Sequence, residues 1–194
     1  MTLTDQSEGT GYPGKDSRMR RIVIPGIVLI VFFSLVVTFR RSLIASWYAN
    51  LGAVEMSRWE LENWPKDQWN ANPDVSPLAH SELLFKRALA FNPYERTALH
   101  RSGLIAMQSR DFNTAQIDLE RAIYIDPDHR GIRKSLGYTY VWDSNLENAE
   151  LMLQGINEAR IEMEIYSWWW DENNRRDLAT QASEMASILD TVNH

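Results

Sequence analysis

The sequence predicts an all-α protein in which a single transmembrane helix precedes a short array of helical hairpins and a C-terminal capping helix. Two observations predict this fold class. An uncharged apolar run near the N-terminus is long enough to span a bilayer, and two later segments place the same residue types at the same spacing. The chain has 194 residues, which leaves room for about one folded domain after the anchor.

The apolar run, residues 22–39, carries no charge and has arginines on both sides. As a helix it is roughly 27 Å long, which matches the hydrocarbon core of a bilayer. The alternatives are a buried core helix, which would carry more polar residues, and a signal peptide, which would end in a small-residue cleavage site rather than Phe-Arg-Arg. We therefore expect an uncleaved anchor over residues 18–41, after a disordered head over residues 1–17.

The basic residues around the anchor predict its orientation. Those before the run are Lys15, Arg18, Arg20 and Arg21, and those that follow it closely are Arg40, Arg41 and Arg58. This small excess before the run, together with a short head and a large folded part, predicts a single-pass protein with a cytoplasmic N-terminus. The hairpins would then lie outside the cytoplasm. Because the chain contains no cysteine, disulfides are excluded.

Residues 96–129 and 130–163 form two consecutive blocks of 34 residues with matching small and large positions. The small positions, which let two helices touch, are Gly103, Ala115 and Ala122 in the first block and Gly137 and Ala149 in the second. Large residues at other positions, including Leu119 and Leu153, would fill the gaps between the helices. Pro127 stops the first block, whereas the second has Ile161 at the proline position. We therefore expect the array to decay or to be capped there.

This pattern resembles the tetratricopeptide repeat family. The resemblance implies stacked helix pairs with a concave surface lined by the first helix of each pair. An earlier repeat fits the same register but is interrupted by an insertion near residues 62–77. Its first helix contains Gly52, and its second helix contains Ser81, Phe85, Ala88 and Pro93. We expect about three repeats over residues 42–163.

Residues 164–194 predict a Trp-rich segment followed by the capping helix. Because three adjacent tryptophans, Trp168 to Trp170, cannot all face one side of a helix, at least one of them should be exposed. The capping helix has an apolar stripe that would cover the last face of the array. This stripe consists of Leu178, Ala182, Met185, Leu189 and Val192.

The concave surface that the resemblance implies is the predicted partner-binding groove. The residues that would line it are His100, Leu104, Met107, Lys134, Tyr138, Val141 and Trp142. Family members that clamp a carboxylate use Lys and Asn at two of these positions. Lys134 fits that pattern but Tyr138 does not, so we expect an apolar or aromatic anchor from a protein partner instead. Packing between repeats is the competing interpretation of the same residues.

No motif predicts catalysis, a cofactor or a metal site. The four histidines do not pair at metal-ligand spacing, and Asp126, Asp128 and His129 are typical of the turn that ends such a repeat. The net charge of −6 argues against nucleic acid as a partner. We expect no small-molecule ligand and no enzymatic activity.

A looser resemblance covers residues 50–170. The order of three segments resembles the C-terminal repeat module of some bacterial O-antigen-ligase-like envelope proteins. These segments are the helical stretch Asn50-Leu-Gly-Ala-Val, the tryptophan-bearing insertion and the stretch that starts with Phe85-Lys-Arg-Ala. The resemblance implies an envelope setting but no transferase activity, because this chain has one span.

The sequence thus predicts a membrane-anchored scaffold or adaptor that holds a membrane or envelope protein. The alternative is an accessory, non-catalytic subunit of an envelope glycan-assembly enzyme or of another membrane complex. A weaker alternative is glycan binding by Trp59, Trp64 and Trp69, whose rings suit sugar faces.

Overall fold

The computed structural model describes the backbone of residues 15–63 and 74–192, and the side chains of residues 25–63 and 74–191. Within these ranges the chain is helical and contains no strand, which confirms the predicted all-α class. The helices are α1 (Lys15–Glu62), α2 (Ala79–Phe91), α3 (Arg96–Gln108), α4 (Phe112–Ile125), α5 (Arg130–Trp142), α6 (Leu146–Leu153), α7 (Ala159–Glu172) and α8 (Arg176–Val192), with a 3₁₀ turn at Ser76–Leu78 before α2. Most of the predicted head and most of the predicted insertion lie outside the described residues.

The chain divides into two compact units, Met1–Arg40 and Arg41–His194. In the first unit, the apolar side chains between Ile27 and Phe39 are exposed to the surroundings. Of the described helices, α1 is the one that is long and apolar enough to cross a membrane, and its most apolar window has a mean hydropathy of 2.2. A signal sequence near an N-terminus also meets these criteria of length and composition.

Helix α1 begins earlier than the sequence predicted. The anchor was expected from residue 18, after a disordered head over residues 1–17, but the helix starts at Lys15, and Pro25 lies inside it. The residues between Lys15 and Arg21 include several good helix formers, which extend the helix ahead of the apolar run.

In the second unit, three helix pairs, α1–α2, α3–α4 and α5–α6, approach closely at a glycine. A Cβ atom added to Gly103 in α3 would lie 2.7 Å from Leu119 Cγ in α4, and one added to Gly137 in α5 would lie 2.6 Å from Leu153 Cγ in α6. At such distances a side chain cannot be accommodated without movement. The prediction that these glycines mark close helix crossings is therefore confirmed. Gly52 in α1 makes the same kind of approach to Phe85 in α2.

Three helix pairs, α3–α4, α5–α6 and α7–α8, are joined by turns with the same backbone conformation. Each turn has one residue in the left-handed region, namely Arg110 (φ 63°), Ser144 (φ 62°) and Asn174 (φ 59°). In each turn, the N–H of the residue that follows donates to the carbonyl oxygen five residues before it, with an N···O distance of 2.9 Å. This bond satisfies an acceptor at the end of the helix. The α7–α8 pair is thus connected in the same way as the two pairs before it.

This finding changes the description of the C-terminal part. The Trp-rich segment and capping helix were expected from residue 164 onward, whereas α7 begins at Ala159 and forms a further helix pair with α8. Helix α6 stops at Leu153 because Gln154 is extended and Gly155 has a φ of 79°, a conformation that glycine adopts without strain. The position where the sequence lacked its proline, Ile161, consequently lies inside α7.

Two apolar clusters hold the second unit together. The smaller one joins α1, α2 and α3 and includes Met56, Phe85 and Ile105. The larger one runs from α3 to α8 and includes Leu136, Trp142 and Met185. Leu89 packs against both clusters, so the core is continuous from the first helix pair to the last.

Candidate protein-binding surface

The predicted groove residues on α3 are half-buried and lie at different parts of the core. Leu104 packs against the smaller apolar cluster, and Met107 packs against the larger one. The His100 ring meets the His129 ring edge to face, with centroids 5.4 Å apart. His129 itself caps α5, because its Nδ1 accepts the N–H of Ile132 at 3.2 Å.

Among the groove residues, His100 has a pKa that is strongly lowered by its surroundings. Burial, followed by the nearby His129, lowers the pKa of His100 to about 4. The imidazole is therefore neutral near pH 7. Its Nε2 atom is buried and has no hydrogen-bond partner among the described residues.

Lys134 and Tyr138 contact acidic residues in the first turn of α7 and immediately before it. Lys134 Nζ lies 2.7 Å from a carboxylate oxygen of Glu162 and 3.3 Å from one of Glu158. The Tyr138 hydroxyl donates to Glu162, and burial together with this bond raises the pKa of Tyr138. Two carboxylates of the chain itself therefore already hold the ammonium group that a partner's carboxylate would need.

Val141 and Trp142 lie in the core rather than in an open groove. Val141 is fully buried, and Trp142 is only 7% exposed. The Trp142 ring packs edge to face on Tyr166 and Trp170 of α7, with centroid distances of 5.4 and 5.7 Å. The competing interpretation of Trp142, that it packs against the next hairpin, is the arrangement that the structure has.

The face that would continue the groove on α7 is exposed. Ile161, Ile165 and Trp168 follow one another at helical spacing and are 51%, 41% and 62% exposed. Aligned by the shared turns, Trp168 occupies in α7 the position that Tyr138 occupies in α5. We call these three residues the α7 stripe. The i, i+4, i+7 spacing of these residues is present in the sequence. The sequence analysis, however, predicted that this segment follows the repeats and does not belong to them.

The other two tryptophans of the run are buried, so one of the three is exposed, in agreement with the expectation of at least one. Trp169 is 7% exposed and Trp170 is 2% exposed. The guanidinium group of Arg110 lies over both rings, 5.4 and 4.7 Å from their centroids. This cation–π packing ties the α3–α4 turn to α7 and leaves Trp168 as the exposed member of the three.

The remaining candidates from the sequence play local roles. Asp126 pairs with Arg96 at 2.8 Å, and His129 is the cap already described. Within residues 15–63 and 74–192, no group of acidic, histidine or cysteine residues is placed to hold a metal ion. Trp59 is half-buried against the smaller cluster, whereas Trp64 and Trp69 lie outside the described residues.

Comparison with known proteins identifies no family model and no curated protein that matches this chain.

Proposed function

We propose that the chain is a membrane-anchored scaffold or adaptor of the tetratricopeptide type, whose helix pairs hold a protein partner. The apolar run of residues 22–39 anchors it, with the N-terminus in the cytoplasm and the helix pairs outside. Two observations support the repeat type: Gly103 and Gly137 make matching contacts, and three turns share the same backbone conformation.

The observation that carries the binding proposal is the α7 stripe. Its tryptophan is exposed although the two beside it are buried, and an exposed aromatic ring among aliphatic residues is typical of a binding anchor. Leu104 and Met107 on α3 are only half-buried. The site of engagement therefore shifts from the predicted α5 residues to α7. The partner would contribute an apolar helix or extended segment.

Affinity purification of the full chain from mild detergent tests this proposal. Replacing Trp168 with Ala should weaken capture of the partner by about tenfold or more, because a central aromatic anchor is worth roughly 2 kcal/mol. The matched control is Tyr124→Ala, which removes a ring that is 81% exposed on α4. Equal capture by both variants would remove the α7 stripe from the proposal. A stoichiometric multi-span enzyme among the captured proteins would favour the accessory-subunit alternative.

The orientation has a separate test. A reporter that is active only in the cytoplasm should be silent when fused at His194 and active when fused at the N-terminus. The reverse result would place the helix pairs in the cytoplasm, and release of the protein by carbonate would argue against the anchor.

A further inference from the structure

The segment of α1 that belongs to the second unit has two different faces. One face is buried against α2 and α3 and contains Ala45, Ala49, Gly52 and Met56. The opposite face is a row of exposed apolar residues at helical spacing, and we call it the α1 stripe. Its members are Leu43, Trp47, Leu51, Val54 and Leu61.

The register shows what kind of surface this is. Gly52 in α1 corresponds to Gly103 in α3, because both meet the large residue of their partner helix. Two residues of the α1 stripe, Trp47 and Val54, then correspond to Ala98 and Ile105. In α3 those two residues are buried against the preceding helix pair. The α1 stripe is therefore the surface onto which another helical element packs, and no described part of this chain covers it.

We propose that a second copy of this chain covers the α1 stripe, so that two α1 helices pair side by side and in parallel. The pairing rests on the proposed membrane anchor. Two copies anchored in the same orientation present the same residues at the same distance from the bilayer, so that identical stripes meet in register. Confinement to a membrane also raises their effective concentration.

The polar residues Asn50 and Ser57, which lie beside the α1 stripe, favour a copy of the same chain. Alternating spacings of three and four residues are typical of the contact positions in a two-stranded coiled coil. This spacing relates Trp47, Asn50, Val54, Ser57 and Leu61. Asn50 is exposed, and together with Val54 and Leu61 it lines a shallow groove. An amide carries both donors and an acceptor, so the same amide from a second copy satisfies it across a two-fold axis.

The size of the stripe suits such a pair. Its five apolar residues expose on the order of 500 Å², near the upper end of the largest patch on a typical soluble monomer. A standard interface buries about 800 Å² on each partner. The stripe alone is smaller than that area, but anchored copies need less because encounter is confined to a plane.

Disulfide cross-linking in native membranes tests the pairing, since the chain has no cysteine of its own. The variants Val54→Cys and Leu61→Cys place a thiol on the stripe, and Ser46→Cys is the control, exposed on the same helix about a quarter turn away. We expect covalent dimers from the first two variants at a yield at least tenfold above the control. Adding Asn50→Asp, which brings two carboxylates together, should lower the yield from Val54→Cys at least fivefold.

The outcomes separate the pairing from the proposed function. Membrane-resident protein that stays monomeric in all variants would overturn the pairing alone. Equal yields from Val54→Cys and Ser46→Cys would also overturn it, because random collision gives no preference for the stripe. A cross-link to a different protein would assign the stripe to that partner instead. Protein absent from the membrane fraction would overturn both the pairing and the anchor.

Discussion

Helices α1 and α8 lie at opposite ends of the second unit, and their outer faces differ in polarity. Both bury a row of apolar residues inward, including Met56 in α1 and Met185 in α8. The outer face of α8 is polar and exposes Thr180, Ser183, Glu184, Ser187 and Asp190. The outer face of α1 is the apolar α1 stripe, with Leu61 77% exposed.

This difference separates a helix that ends an array from one that continues it. Stacked helix pairs need a polar outer face where they stop, because an apolar face left in water promotes association. Helix α8 meets that requirement and α1 does not. The two buried faces, in contrast, should contribute similarly to folding, and the following experiments separate the two properties.

The largest expected effect is on the inner faces. Replacing Met56 or Met185 with Ala removes a fully buried side chain at one end or the other. Each change should lower the free energy of unfolding by roughly 2–5 kcal/mol, because a cavity remains. Chemical denaturation of the full chain in mild detergent measures it. A loss of less than 1 kcal/mol for Met56→Ala alone would mean that α1 is not part of the same cooperative unit.

The glycine contacts allow the first helix pair to be compared with a later one. Leucine at Gly52 would collide with Phe85, and leucine at Gly137 would collide with Leu153. Each substitution should cost roughly 1–3 kcal/mol by overpacking, seen as a lower midpoint in a circular-dichroism melt. The control is Gly155→Leu, where no atom crowds the added carbon but the φ of 79° is strained. Unchanged melting of Gly137→Leu would contradict the α5–α6 packing.

Acid should weaken the middle of the unit rather than its ends. The pKa of His100 is about 4 in the folded chain, below its ordinary value of 6.5, because the ring is buried. The unfolded chain therefore binds the proton first, and stability is lost as the pH falls from about 6.5 towards 4. The loss should be on the order of 2 kcal/mol. Urea titrations at pH 7 and pH 4.5 should show a smaller loss for His100→Gln. An equal loss in both proteins would place the acid sensitivity elsewhere.

The sequence predicted the parts of this fold that depend on side-chain size. Gly103, Gly137 and the alanines of their partner helices form a recognisable pattern, because close helix crossings need small residues at fixed spacing. The shared turn was not readable. Its left-handed position is filled by Arg110, Ser144 and Asn174, three residue types with no common feature. Without that turn, the α7–α8 pair could not be aligned with the others.

The same gap explains the difference at the candidate site. Val141 and Trp142 were assigned to an open groove because nothing in the sequence placed α7 beside α5. Tyr166 and Trp170 of α7 supply the rings that cover Trp142. Contacts between helices that lie far apart in sequence depend on the relative placement of whole helix pairs, and the spacing of residues within one helix does not specify that placement.

Substitutions on the outer faces should have the smallest effect on folding. They are nevertheless the most direct test of the difference between α1 and α8. Replacing Ser183 and Ser187 together with Leu would give α8 an apolar pair one turn apart, similar to Leu43 and Trp47 on α1. Because both serines are exposed, the free energy of unfolding should change by no more than about 0.5 kcal/mol. Association should nevertheless increase, since the polar end has become apolar. Sedimentation in detergent over a range of protein concentrations measures this. The matched change, Val54→Ser with Leu61→Ser, should reduce association at the other end and leave the free energy of unfolding similarly unaffected, because both side chains are more than half exposed. If both double variants sediment as the unaltered chain does, the chemistry of the outer faces does not control association, and the contrast between α1 and α8 has no consequence for assembly.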